Sequence, residues 1–324
     1  MSAHARGDAG EPPLVSVVIP VFNEEEGLAE LQRRIDDALA GIDHEVVYVD
    51  DGSVDASAAM LEALARERDD VVLVRLSRNY GMEIAMSAGM DHARGDWVAL
   101  LHADLQDPPE LIGEMLVRAR NGADVVYARR IGRDESLLKR TLATAFYRVM
   151  ERIARTPYQG QAGDFRLMSR RVVDALRTMP ERRRFLRGMV AWVGYEQVPI
   201  EYRRAGRHAG RGASYPALIR LALEAITSFS DVPLRLASYL GVTLSLCSVL
   251  LAATVAVLTA TGTIVASVEA WILIAVLFLG GAQLVSIGII GRYLARVHDQ
   301  ALGRPLYLVE RVVKRAERDR APVA

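Results

Sequence analysis

The chain has 324 residues, 51% of them hydrophobic, with 40 basic and 40 acidic side chains and a formal net charge of zero. That length exceeds one average domain and accommodates a soluble domain plus an appendage. The charge balance excludes the overall basic character that draws a protein to nucleic acid, so no nucleic-acid partner is expected.

Residues 1–13 (MSAHARGDAGEPP) have no apolar core, so a disordered tail is expected there, not a signal peptide. From residue 14 to 127 the sequence alternates. SVVIP, EVVYV, VVLVRL, WVALL and DVVYA are short β-branched runs, and segments such as EGLAELQRRIDDALA and DASAAMLEALARER between them repeat at helical spacing. This alternation predicts an α/β fold with a parallel, doubly wound sheet covered on both faces. Ligands of such sheets bind outside the carboxyl ends of the strands. Strand one ends at Pro20, followed by Asn23 and Glu24; strand two at Asp50, Asp51, Gly52 and Ser53; strand three at Ser77, Arg78 and Asn79; strand four at His102 and Asp104. Four polar strand ends in one row are better explained by a site than by the general polarity of loops.

The chain contains neither a GxGxxG nor a GxxxxGK[ST] pattern, so dinucleotide and P-loop fingerprints are absent. An Asp at the end of strand two can still accept hydrogen bonds from a ribose or a base. A diphosphate needs positive charge, these loops hold no Lys cluster, and a divalent cation on oxygen ligands is the substitute. If LHADLQ stays extended, His102, Asp104 and Gln106 share one face and form the platform. Asp107, before Pro108 and Pro109, is the expected N-cap of the next helix.

Beyond strand five, Lys139 and Arg140 open a segment in which Leu142, Phe146, Val149 and Ile153 recur at helical spacing. It reads equally as an interfacial helix and as a domain helix with a solvated basic face. A second such segment spans 215–229, after a Gly/Arg-rich loop that suits a lid or a headgroup contact. Composition shifts near residue 232. The runs 236–260 and 270–291 carry no charged residue, and each is long enough to cross a ~30 Å hydrocarbon core at ~1.5 Å per residue. The link between them has no Lys or Arg, whereas Arg235, Arg292 and Arg296 flank the outer ends, so both termini are expected in the cytoplasm. The expected layout is a catalytic domain over 14–231, two transmembrane helices within 232–292, and a basic C-terminal tail over 293–324. The lone Cys247 precludes an intrachain disulfide and fits a reducing compartment.

VSVVIPVFNEEEGL, VDDGSVDAS, LSRNYGMEIAMSAGMDHARGD, LHADLQDPPELI, GDFRLMSR and SFSDVPLRL, in this order and ahead of two apolar runs, resemble glycosyltransferase family 2. The resemblance is to the membrane-attached branch that moves a sugar from a nucleotide donor to a polyprenyl phosphate, and it runs from about Val15 to Tyr307. It implies a GT-A-type nucleotide-sugar domain followed by two transmembrane helices. On that pattern Pro20, Asn23 and Glu24 cup the donor base and ribose, Asp50 and Asp51 bind the nucleoside, and Ser53 and Asn79 lie at the same strand ends. Asp104 matches the second Asp of the family's Asp-x-Asp metal motif and Gln106 the Gln that follows. The family has Asp where this chain has His102. Imidazole suits Mn²⁺ better than Mg²⁺, so Mg²⁺ or Mn²⁺ is held either by all three residues or by Asp104 and Gln106 alone, unless the change weakens the site. Asp164 matches the family's proposed catalytic base. A phosphate monoester acceptor is already ionised near neutral pH, so orienting the acceptor or an Arg such as Arg166 is the other role open to it. Arg130 and Arg133 match basic positions after strand five and, with Lys139, Arg140 and Arg166, are the expected contacts of the acceptor phosphate.

The implied reaction is metal-dependent, inverting transfer of a hexose to undecaprenyl phosphate at the cytoplasmic membrane, with UDP-glucose the first expectation. A homo-oligomer stays open. No Gln-x-x-Arg-Trp motif of the processive polysaccharide synthases occurs. The alternative, prompted by His102, is a catalytically impaired membrane protein that binds a nucleotide sugar or lipid and regulates.

Overall fold

The structure, a computed structural model, describes residues 14–130, 162–182, 184–202 and 268–315, with scattered positions between 239 and 261. The chain divides into two compact units, one of Met1–Tyr147, Thr156–Gly212 and Pro305–Ala324, the other of Arg148–Arg155 and Ala213–Arg304.

The first unit is built on one sheet. The five β-branched runs form β1 (Val15–Val21), β2 (His44–Asp50), β3 (Val71–Leu76), β4 (Trp97–Leu100) and β5 (Val125–Arg130). Two later strands, β6 (Ala162–Ser169) and β7 (Gln197–Tyr202), and a C-terminal β8 (Val309–Lys314) complete the order β7-β5-β6-β4-β1-β2-β3-β8. The strands β3, β2, β1 and β4 run parallel, as do β5 and β7. β6 is antiparallel to β4 and β5, and β8 to β3. The sheet is thus mostly parallel with antiparallel insertions, as a GT-A-type domain requires.

Alternation decides which side chains meet which helices. Val17, Ile19 and Val21 of β1 join one buried cluster with Leu31, Ile35 and Ile112, under α1 (Leu28–Ala38), α2 (Ser57–Glu67) and α4 (Leu111–Arg120). Val18, between them in sequence, faces the other cluster with Val49, Met86, Val172 and Met189, under α3 (Met82–His92), α5 (Arg170–Thr178) and α6 (Leu186–Trp192). Gly89 lets α3 lie against the strands: a Cβ there would meet Val18 Cγ1 at 2.2 Å and Val49 Cγ2 at 3.0 Å.

Asp164 and its neighbours lie on β6, inserted antiparallel between β4 and β5. One expectation needs correction. The C-terminal segment is no simple tail, because β8 pairs with the β3 edge in the register Leu73↔Val313. Arg311–Glu62 (2.6 Å), Arg315–Asp69 (3.0 Å) and the Tyr307 hydroxyl on Asp91 (2.7 Å) fasten it. An edge strand has no helix-like local signature, and its partner is more than two hundred residues away in sequence.

In the second unit α7 (Val268–Ala301) is one continuous helix of 34 residues containing the run 270–291. Among the described residues no helix is long and apolar enough to cross a membrane. The expected span at 236–260 lies largely outside those residues, and several side chains of α7 do too, so the two transmembrane helices are not shown. The amphipathic segments around 139–153 and 215–229 also lie outside them.

Candidate active site

The loops that follow β1, β2 and β3 are knitted together at the carboxyl edge of the sheet. Asn23, at φ 56°, donates its backbone N–H to Ser53 Oγ (3.1 Å) and accepts the Val54 N–H on its own Oδ1 (2.9 Å). The Glu24 N–H reaches Ser57 Oγ at 3.0 Å. Gly52 sits at φ 76°, and a Cβ there would meet the Arg78 and Asn79 backbone at 2.8 Å, so only glycine lets these two loops touch. Asp51 accepts the N–H groups of Tyr80 (2.7 Å) and Gly81 (2.8 Å). Burial raises its carboxyl above the ordinary value, against the pull of those two bonds. Arg78 lies over the Tyr80 ring at 4.0 Å, and Asn79 is exposed beside it.

Asp50 differs from its neighbour. It is fully buried, accepts the Ser53 N–H at 3.0 Å, and faces Arg75 at 3.4 Å; Arg75 in turn faces Glu310 of β8 at 3.3 Å. Of the acidic pair, Asp50 therefore builds the loop from below. Pro20 is buried within β1 and supports the same edge.

The β4 end is not extended. The strand stops at Leu100, and Leu105 adopts φ 58°, a left-handed conformation costly for a side chain of its kind. This turn brings Asp104 Oδ1 onto the Gln106 N–H at 3.1 Å. Gln106 is buried, and its Nε2 has no hydrogen-bond partner. An orphaned buried amide beside a carboxylate fits a hard cation or a diphosphate oxygen, since the amide turned about its last bond presents Oε1.

His102 has acidic neighbours of its own. Its Nε2 lies 3.5 Å from Asp164 Oδ2 and its Nδ1 3.9 Å from Asp107 Oδ2. Burial pushes the imidazole pKa down, but Asp164, Asp107 and Asp104 together raise it above its usual value. A ring facing two acids offers protons, whereas a metal needs its lone pair. His102 stands where the family pattern has the first Asp of its metal motif, and here its two ring nitrogens lie against Asp164 and Asp107. Asp107 caps no helix: α4 begins after Glu110, and Asp107 accepts the Tyr202 hydroxyl at 2.7 Å.

Asp164 is 5% exposed. Arg187 forks onto it, Nε to Oδ1 and Nη2 to Oδ2, both at 2.5 Å. Burial raises the Asp164 carboxyl, but the Arg187 fork and His102 overcome that and hold it well below the usual carboxylate range. Glu83 of α3 accepts the Leu186 N–H at 3.0 Å, and burial plus repulsion from Asp164 push it up to about 7. Arg166, expected at the acceptor phosphate, is instead 2% exposed and donates to the Gly163 (2.9 Å) and Asp164 (3.3 Å) carbonyls. Arg133, Lys139, Arg140 and the Arg130 side chain lie outside the described residues. Arg187 and Tyr202 lie outside the quoted motifs, and Glu83, though inside LSRNYGMEIAMSAGMDHARGD, has nothing there to mark its role: the three come from a helix, a strand and another helix far apart in sequence.

Among the described residues one group of acidic and His ligands is close enough to hold a metal: Asp36, His44 and Asp70. It stands at the starts of β2 and β3, opposite the carboxyl edge. Arg68 already bridges Asp36 (2.7 Å) and Asp70 (2.6 Å) with its guanidinium, so it gives no support to a metal at the candidate site.

Residues 16–177 match the family model described as glycosyl transferase family 2. An uncharacterized glycosyltransferase of Synechocystis is 43% identical over 91% of this chain and 94% of its own length. The bactoprenol glucosyl transferase of Shigella phage SfII is 39% identical over 92% of this chain and 97% of its own. A prophage bactoprenol glucosyl transferase homolog of Escherichia coli is 39% identical over 93% and 99%. With its mostly parallel sheet, its polar carboxyl edge and this likeness along nearly its whole length, the chain belongs to glycosyl transferase family 2 and is homologous to the bactoprenol glucosyl transferases.

Proposed function

We propose that the protein transfers a glucosyl group from a nucleotide-diphosphate donor, UDP-glucose first, to undecaprenyl or another polyprenyl phosphate at the cytoplasmic face of a membrane. The observation that carries this reading is the 39% identity to bactoprenol glucosyl transferases over more than nine tenths of the chain, which takes in both the carboxyl-edge loops and the apolar runs. The anchoring is read from the uncharged runs 236–260 and 270–291 and their outer arginines.

In this reading the knitted loops around Asn23, Asp51 and Ser53 seat the nucleoside, with the Arg78–Tyr80 pair beside it. Asp104 and Gln106 are the residues that would hold Mg²⁺ or Mn²⁺. Bound there, the ion would offset negative charge on the departing diphosphate. An oxygen of the lipid phosphate forms a bond to the anomeric carbon while the bond to the donor diphosphate breaks, inverting that centre. The phosphate is already an anion, so the step requires no proton abstraction. Impairment by His102, the alternative, loses weight because His102 has a place of its own between Asp164 and Asp107.

The test offers the full chain, in detergent or vesicles, a panel of nucleotide sugars with undecaprenyl phosphate and either cation. Label is expected to enter the lipid phase, to stop with chelator and to return with added cation. Asp104→Ala is expected to abolish transfer at every cation concentration; normal turnover in that variant would remove Asp104 from the site.

A further inference from the structure

We infer that Arg187 grips a phosphate oxyanion of the substrates, and that Asp164 and Glu83 are positioning residues that hold its guanidinium in place. The inference rests on the transfer proposed above and names a group that the reading by motif did not contain.

Three observations carry it. First, exposure runs the wrong way for Asp164 to meet a substrate: its side chain is 4% exposed and that of Arg187 is 35% exposed. Of the pair, the Arg187 side chain is the one solvent reaches, and the carboxylate is sealed. Second, two carboxylates from different elements staple consecutive residues. Glu83 of α3 holds the Leu186 N–H, and Asp164 of β6 holds the Arg187 Nε and Nη2 edge in a planar fork. Such a frame fixes an otherwise flexible cation before substrate arrives, which lowers the ordering cost of binding. A guanidinium spreads several N–H donors around its plane, so a fork on one carboxylate is compatible with a second oxyanion on the same group. Third, the cation stands beside the loop expected to serve the diphosphate, because His102, two residues before Asp104, contacts the same Asp164 oxygen that accepts from Arg187. Arg166, the other cation on this strand, points at main-chain carbonyls and is sealed from solvent.

The reacting phosphate is either that of the acceptor or one of the donor's two, and kinetics separate them. With wild-type enzyme active on UDP-glucose and undecaprenyl phosphate, Arg187→Gln is expected to lower kcat/KM for one phosphate substrate ~100-fold, the size typical of losing one charge-stabilising donor. A loss in acceptor KM with unchanged UDP affinity assigns the acceptor phosphate; a loss of UDP affinity assigns the donor. Arg187→Lys keeps the charge but not the fork and is expected to recover part of the loss. Asp164→Asn is expected to match Arg187→Gln, and the double variant to be no slower than either, because the two residues act as one unit. Losses that multiply in the double variant would show Asp164 acting on its own and overturn the inference, as would wild-type kinetics for both substrates in Arg187→Gln. If thermal unfolding shows that Arg187→Gln does not fold, Arg187→Lys decides, and wild-type constants in it overturn the inference. A wild type that glycosylates no lipid phosphate overturns the proposed function and this inference with it; an active wild type indifferent to Arg187 overturns this inference alone.

Discussion

Adjacent residues in this protein differ in role because burial and partners differ. Asp50 and Asp51 look interchangeable in VDDGS, yet one faces Arg75 inside the sheet and the other holds the β3 loop at the site. Glu83 allows a test at this scale. Its carboxyl is raised from 4.5 to about 7 in the folded protein, so between those values the native state binds more protons than the unfolded one. Its contribution is fully present below pH 4.5 and is lost as pH rises through about 7. Wild-type Tm is therefore expected to fall between pH 5 and 7.5 by more than that of Glu83→Gln, measured by thermal unfolding; parallel profiles would reject the assignment. Asp164 has the opposite sign. Its lowered pKa gives stability that is present above the ordinary carboxylate range and fades as acid approaches the depressed value.

Among the elements, α3 and β8 make the clearest predictions. Gly89→Ala improves helix propensity by up to ~1 kcal/mol, but its Cβ would strike the Val18 and Val49 methyls, both fully buried. Overpacking of that kind costs ~1–3 kcal/mol, so the variant is expected to melt below wild type. Deleting 305–324 removes β8 and reopens the β3 edge. The truncated chain is expected to be less stable and more prone to associate, because an unpaired edge is a template for other strands; scattering and Tm would record both. The strands β1 to β5 were legible in the sequence because each is a short, near-continuous apolar run, as a parallel sheet covered on both faces requires. β6 (AGDFRLMS) was hidden because charged residues interrupt its apolar ones, and β8 (VERVVK) because its apolar side chains only half alternate.

At the scale of the whole molecule, the uncharged runs are proposed to anchor the chain. The full protein is expected to sediment with membranes and to resist extraction by high salt, which screens surface charge but leaves buried apolar helices in place. Release by salt would leave only electrostatic attachment.

From the sequence alone came the fold class, the row of polar strand ends, the two apolar runs and the family, because each is written in local pattern or in ordered motifs. Tertiary structure decided which of those polar groups are sealed and what each one touches. The folded chain set the His102 ring against Asp164 and Asp107, the sheet buried Asp50 and Arg166, and α6 delivered Arg187 to Asp164. The physical reason is that a side chain's chemistry depends on what packs around it, and those neighbours are set by contacts between segments far apart in the chain.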